Sequence, residues 1–305
     1  MSGSEPSTTA LRRALPLLLL LAIGALWGLF FVLIKQAVSG GVHPVNYVFW
    51  FTLIAGGLLI GGCLVRGVRL SVQRTHLSYY FRIGLIRFSI ANIFFYAAQG
   101  KLPVGVAAVV MAFTPIFTYA ISLLLRVDPF AWLRFAGILL GVAGVMLIVI
   151  PKSSLPDPSL TIYVFICFGA PLLHALGYVL LSEKSRPKNV DSMMIGGGTL
   201  LAASAMSCVI ALVWGEWALI VPPFGPVQIA MLTHAALAAL NFYMIFELIR
   251  IAGPTYMSQS SNLALGFGVF FGWLIFGELP SVWVWGAIVL ILAGVALVNA
   301  QQGKK

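Results

Sequence analysis

The chain has 305 residues, of which 61% are hydrophobic and 9% charged, with a formal net charge of +10. So little polar surface cannot cover a soluble fold of this size, and most of the chain must therefore sit in lipid. Its cations fall in gaps between apolar runs instead of among aromatics on one face, which marks them as topology signals and argues against a nucleic-acid partner.

Residues 1–14 read as a polar tail whose Arg12-Arg13 pair precedes the first apolar run, 15–38. That run is longer than the ~7 to 15-residue apolar core of a signal peptide, so it is expected to span the membrane. Further runs follow at 44–65, 77–98, 103–125, 132–150, 160–181, 192–214, 226–249, 255–276 and 282–300. Each approaches the ~20 residues that a helix needs to cross about 30 Å of hydrocarbon. The turns between them are short and marked by proline, glycine or charge, which leaves no room for an inserted soluble domain. Pro44, Pro103 and Pro226 open their runs, where a missing N–H costs nothing. Cys63, Cys167 and Cys208 lie inside apolar runs without CxxC spacing, so no disulfide framework, metal site or cofactor is expected.

The last two runs repeat an earlier stretch. Moved back 150 positions, Glu278 falls on Asp128, Ile288 on Ile138, Ala293 on Ala143, Gly294 on Gly144 and Leu297 on Leu147. The predicted organisation is two repeats, 15–150 and 160–300, closed by a short tail at 301–305. Doubled apolar halves are a signature of secondary transporters. With the N-terminus cytoplasmic, fourteen lysines and arginines lie inside and three (Lys35, Lys101, Lys152) outside, which with the intramembrane Arg87 accounts for all 18. Five spans per repeat then place the two copies in opposite orientations. The expected fold class is an all-α membrane protein of ten transmembrane helices in two inverted five-helix repeats, multi-pass in the cell inner membrane with both termini cytoplasmic.

Several residues carry a resemblance: Trp27-Gly28 followed by Lys35, Thr114-Pro115, the Arg126-Val127-Asp128 and Phe276-Gly277-Glu278 junctions, and the Ala-Gly-Val endings. In this order they are similar to the EamA-type members of the drug/metabolite transporter superfamily. The second copy departs from the first, with Leu265 in place of Pro115 and Leu176-Gly177 in place of Trp27-Gly28, so inference about helix breaks is safer in the first half. The resemblance implies a central cavity used to export amino acids, other metabolites or toxic organic compounds, with the fifth helix of each half outside it. Those two helices carry Gly137, Gly141, Gly144, Gly286 and Gly294, small residues that suit close helix contact within the chain or in a homodimer.

Polar side chains at membrane depth point to the cavity, because lipid tolerates them poorly. Arg87 lies about ten residues, roughly 15 Å, into its helix. It reads either as a permanent cation for a substrate carboxylate or as a structural arginine that caps carbonyls or snorkels. On an α-helix Asn92, Tyr96 and Gln99 share a face and Arg87 lies off it. His174 and Tyr178 are four apart, beyond an irregularity expected at Pro171. His174 could carry a proton during transport or stay a neutral core residue. His234 and Asn241 share a face, and Asn241 nearly repeats Asn92. Ser258, Gln259, Ser260, Ser261 and Asn262 form the most polar patch in any span and read as a cavity wall. Trp27 is one of several aromatics that could furnish an apolar pocket. Glu247 and Arg250 read as an ordinary helical ion pair, and Lys35 as a snorkelling residue.

The leading expectation is a secondary transporter of small organic solutes, most plausibly an exporter of amino acids, aromatic or bulky ones included, by alternating access. No nucleotide-binding loop occurs. The competing class is a membrane-embedded enzyme acting on a lipid or small molecule. It would need clustered histidines or carboxylates, whereas His43, His76, His174 and His234 are scattered.

Overall fold

The computed structural model describes residues 6–68, 71–126, 129–151, 153–180, 187, 190–220, 222, 224–257 and 260–299. The regular elements among them are all helical: α1 (Pro6–Ser39), α2 (Pro44–Val65), α3 (Arg74–Ile83), a π-helical segment (Gly84–Ile90), α4 (Ala91–Gln99), α5 (Val104–Met111), α6 (Thr114–Leu124), α7 (Trp132–Val149), a 3-10 turn (Pro158–Leu160), α8 (Thr161–Leu180), α9 (Ser192–Trp214), α10 (Pro226–Met257), α11 (Ser260–Phe276) and α12 (Val282–Asn299). Eight segments are long and apolar enough to cross a bilayer, and α11 and α12 supply two shorter apolar helices. The protein is an all-α membrane protein. The third crossing is built from α3, the π segment and α4, and the fourth from α5 and α6. The face of the bundle where α1 ends is termed distal, the opposite face proximal.

The crossings meet where side chains are small. Gly28 lets α1 lie directly on α11: a Cβ there would fall 2.5 Å from the Cβ of Phe267 and 2.8 Å from the Gly268 nitrogen. The glycines of α7 and α12 are used against each other and their neighbours. A Cβ on Gly137 would meet the Gly294 carbonyl at 2.6 Å, one on Gly294 the Gly137 carbonyl at the same distance, and one on Gly141 the Ile116 side chain at 2.4 Å. Close backbone approach is the main source of helix affinity in lipid. These glycines make close contacts inside the chain.

Three local features bear on the regularity of the crossings. The fourth crossing breaks at Ala112-Phe113, in the first half, while α11 runs unbroken past Leu265. Pro115 has no N–H to give the Met111 carbonyl four residues back, and the Thr114 hydroxyl donates to that carbonyl instead, at 2.7 Å. Pro171, by contrast, sits inside a continuous α8, so the irregularity expected there is absent. The helix α10 also continues to Met257, through Gly253 and Pro254, where the sequence suggested a turn. Arg250 and Glu247 are paired, with Arg250 Nε donating to Glu247 Oε2 at 2.9 Å, and such a pair stabilises a helix without ending it.

Candidate functional site

Three layers of polar and aromatic side chains run along the third crossing, the first two against α10 and the last against α8. The distal layer is an aromatic plug. His234 of α10 stacks on Phe51 of α2 with ring centroids 4.4 Å apart, lies 4.6 Å from Phe30 of α1, and exchanges a hydrogen bond of 2.9 Å between its Nδ1 and the Tyr47 hydroxyl. Tyr96 of α4 closes the ring, 4.9 Å from Tyr47 and 6.5 Å from His234. Tyr47, Tyr96 and His234 are all buried. Gln99, one turn further distal and also buried, donates to the Phe31 carbonyl at 3.0 Å, while its Oε1 has no hydrogen-bond partner among the described residues.

The second contact between these helices is proximal to the plug, where Phe88 meets Phe242 at 6.3 Å. Asn92 stands midway along the chain between Tyr96 and Phe88, and Asn241 directly precedes Phe242. Asn92 is half-buried, and Asn241 is buried with its Oδ1 lacking a hydrogen-bond partner among the described residues. A buried polar atom left without a partner costs about 1–3 kcal/mol, so it is a place where a ligand group is welcome.

Arg87 forms the third layer. It sits in the π segment, whose wider turns break the α-helical spacing by which Arg87 was placed away from the Asn92 face. Its guanidinium lies 4.1 Å from the Tyr178 ring centroid and 5.5 Å from that of Phe88. Cations stack on aromatic faces in this way. Its Nε is buried without a hydrogen-bond partner among the described residues. Gly177 makes room for it: a Cβ there would lie 2.4 Å from Arg87 Cγ. His174 lies one turn before Tyr178 on α8, the helix that Arg87 packs against. Gly84, which opens the π segment, is held against the α9 backbone, since a Cβ there would lie 2.7 Å from the Thr199 carbonyl.

The structure thus brings Arg87, His174 and Tyr178 together and, separately, Tyr96 and His234, with Asn92 and Asn241 on the stretch between. Trp27 is partly buried against the core on α1, and Asn262 is half-buried on α11. Ser260 turns its hydroxyl back to the Met257 carbonyl at 2.8 Å. Ser258 and Gln259 lie outside the described residues.

Lys35 is a correction. It was expected to snorkel, yet its ammonium is ion-paired with Glu278 and also donates to the Leu102 carbonyl at 2.9 Å. The other Glu278 oxygen accepts the Val104 N–H at 2.6 Å. The one sequence signal for this site was that Glu278 ends an apolar run in the repeat.

Polar side chains at membrane depth in a many-crossing helical bundle normally face a cavity or a partner, as a solute pathway requires. A profile of the EamA-like transporter family matches residues 14–150 and again 161–300. The chain belongs to that family, and it is a multi-pass inner-membrane transporter. It is 28% identical over 292 residues to the uncharacterized inner membrane transporter YedA of Escherichia coli K12, covering 94% of this chain and 92% of that protein. It is 23% identical to a riboflavin transporter of Brucella anthropi, over 86% of this chain and 90% of that one. An S-adenosylmethionine/S-adenosylhomocysteine transporter of Chlamydia trachomatis is 24% identical, over 83% of this chain and 79% of that one. A crystal structure shares the fold with a TM-score of 0.61 at 19% identity, over 92% of this chain and 96% of that chain.

Proposed function

We propose that the protein exports small metabolites that carry an amino-acid group, and that it works by alternating access between two inverted five-helix halves with both termini in the cytoplasm. The distal face is then periplasmic. One observation carries the substrate class: a buried donor, Arg87 Nε, and a buried acceptor, Asn241 Oδ1, both lack partners among the described residues, on segments that touch through Phe88 and Phe242. A carboxylate satisfies the first and an ammonium group the second. Tyr178 and Phe88, already stacked on the guanidinium, offer faces to an apolar or aromatic remainder. S-adenosylmethionine, named for one relative, is itself an amino acid with an aromatic end, which is consistent with this reading.

Transport by alternating access requires that one mouth be shut while the other is open, and the aromatic plug supports a distal mouth that is shut in this conformation. The test is a solute panel in proteoliposomes, with and without an imposed pH gradient. Amino acids should be transported and their decarboxylated amines should not. Equal transport of acid and amine would remove Arg87 from the role, and dependence on the gradient would identify proton coupling.

A further inference from the structure

We propose that Lys35, Glu278 and the first turn of α5 form a latch that holds the distal mouth shut and must open once in each transport cycle. This rests on the alternating-access reading above. Three separate pieces of chain meet at one point: the distal end of α1 through Lys35, the entry to α5 through the Leu102 carbonyl and the Val104 N–H, and the loop after α11 through Glu278. Lys35 and Glu278 are 243 residues apart and belong to opposite halves of the chain.

Glu278 does two tasks at once. One oxygen pairs with Lys35, and the other caps α5, whose N-cap residue is Pro103 and supplies no side-chain cap of its own. A carboxylate at a helix N-terminus satisfies an orphan donor and opposes the positive end of the helix dipole. Gly277, in the left-handed conformation at φ 66°, ends α11 and turns the chain so that Glu278 points back to these partners.

The latch is closed but not entombed. The side chains of Lys35 and Glu278 keep 16% and 18% of their exposure, so water can reach them when they part. Beside Glu278 lies a cavity of about 90 Å³ whose lining is mostly apolar, with Glu278, Ser154 and Ser281 as its polar members. A pair buried without exposure would cost too much to separate in every cycle, and a fully exposed pair would hold little.

The experiment uses the full-length protein with Cys63, Cys167 and Cys208 replaced by alanine and a reporter cysteine at Ala238, which is buried one turn along α10 from His234. A membrane-impermeant maleimide is applied to one face at a time in oriented vesicles. The parent should label slowly from the distal face, Glu278→Gln at least tenfold faster, and Glu278→Asp, which keeps the charge, close to the parent. Parent-like labelling of Glu278→Gln, or labelling of Glu278→Asp as fast as Glu278→Gln, overturns the latch. In the second arm, Lys35→Cys/Glu278→Cys is joined by a short reducible crosslinker; transport should stop and return on reduction. Undiminished transport by the crosslinked protein also overturns the latch. Rapid labelling of the parent from both faces would instead show that the alternating-access reading itself has failed.

Discussion

Arg87 and Gly177 act as a pair. The glycine lets the aliphatic stem of Arg87 lie along α8 and thereby aims the guanidinium over Tyr178. In Arg87→Gln a charge-assisted hydrogen bond to the solute is lost, worth about 1.5–3 kcal/mol, so half-saturation should rise about tenfold or more with folding intact. Gly177→Ala should do the same indirectly, because a Cβ within 2.4 Å of Arg87 Cγ forces the side chain to move. Kinetics in proteoliposomes, set against the elution profile of each variant in detergent, check both. Asn92→Ala, Asn241→Ala and Asn262→Ala are each expected to impair flux without loss of folded protein. The plug makes a different prediction: Tyr47→Phe leaves His234 Nδ1 without its partner and should lower stability by about 1–3 kcal/mol, read as a lower unfolding midpoint.

At the scale of the helices, two breaks in regularity matter. The α5–α6 junction exists because Pro115 cannot donate to Met111, and the corresponding α11 has Leu265 and no break. Pro115→Leu should let the two helices merge, so transport should slow several-fold while the unfolding midpoint stays or rises; circular dichroism would report the added helix. The α7–α12 seam tolerates no bulk. Gly137→Leu would drive a side chain into the Gly294 carbonyl and should cost at least the ~1–3 kcal/mol typical of overpacking, checked by thermal unfolding in detergent.

At the scale of the whole molecule, the charge distribution predicts that tags at both ends are reached from the cytoplasm alone, and protease protection in spheroplasts checks it. What local chemistry dictates was legible from the residues. Apolar runs, the bracketing charges and the doubled Ala-Gly-Val endings are properties of short stretches, and lipid rewards them wherever they occur. By itself, the sequence determined an all-α membrane protein, the approximate positions of its crossings, with the end of α10 eight residues short, and the family. Only the tertiary structure decided which polar residues meet. Tyr47 finds His234 at 187 positions' remove and Lys35 finds Glu278 at 243. No periodicity records such a pairing, because it depends on how separate helices pack and not on any one of them. The π turn around Arg87 was hidden for a related reason: its backbone register shows itself only once α8 and α9 press against Gly84 and Arg87.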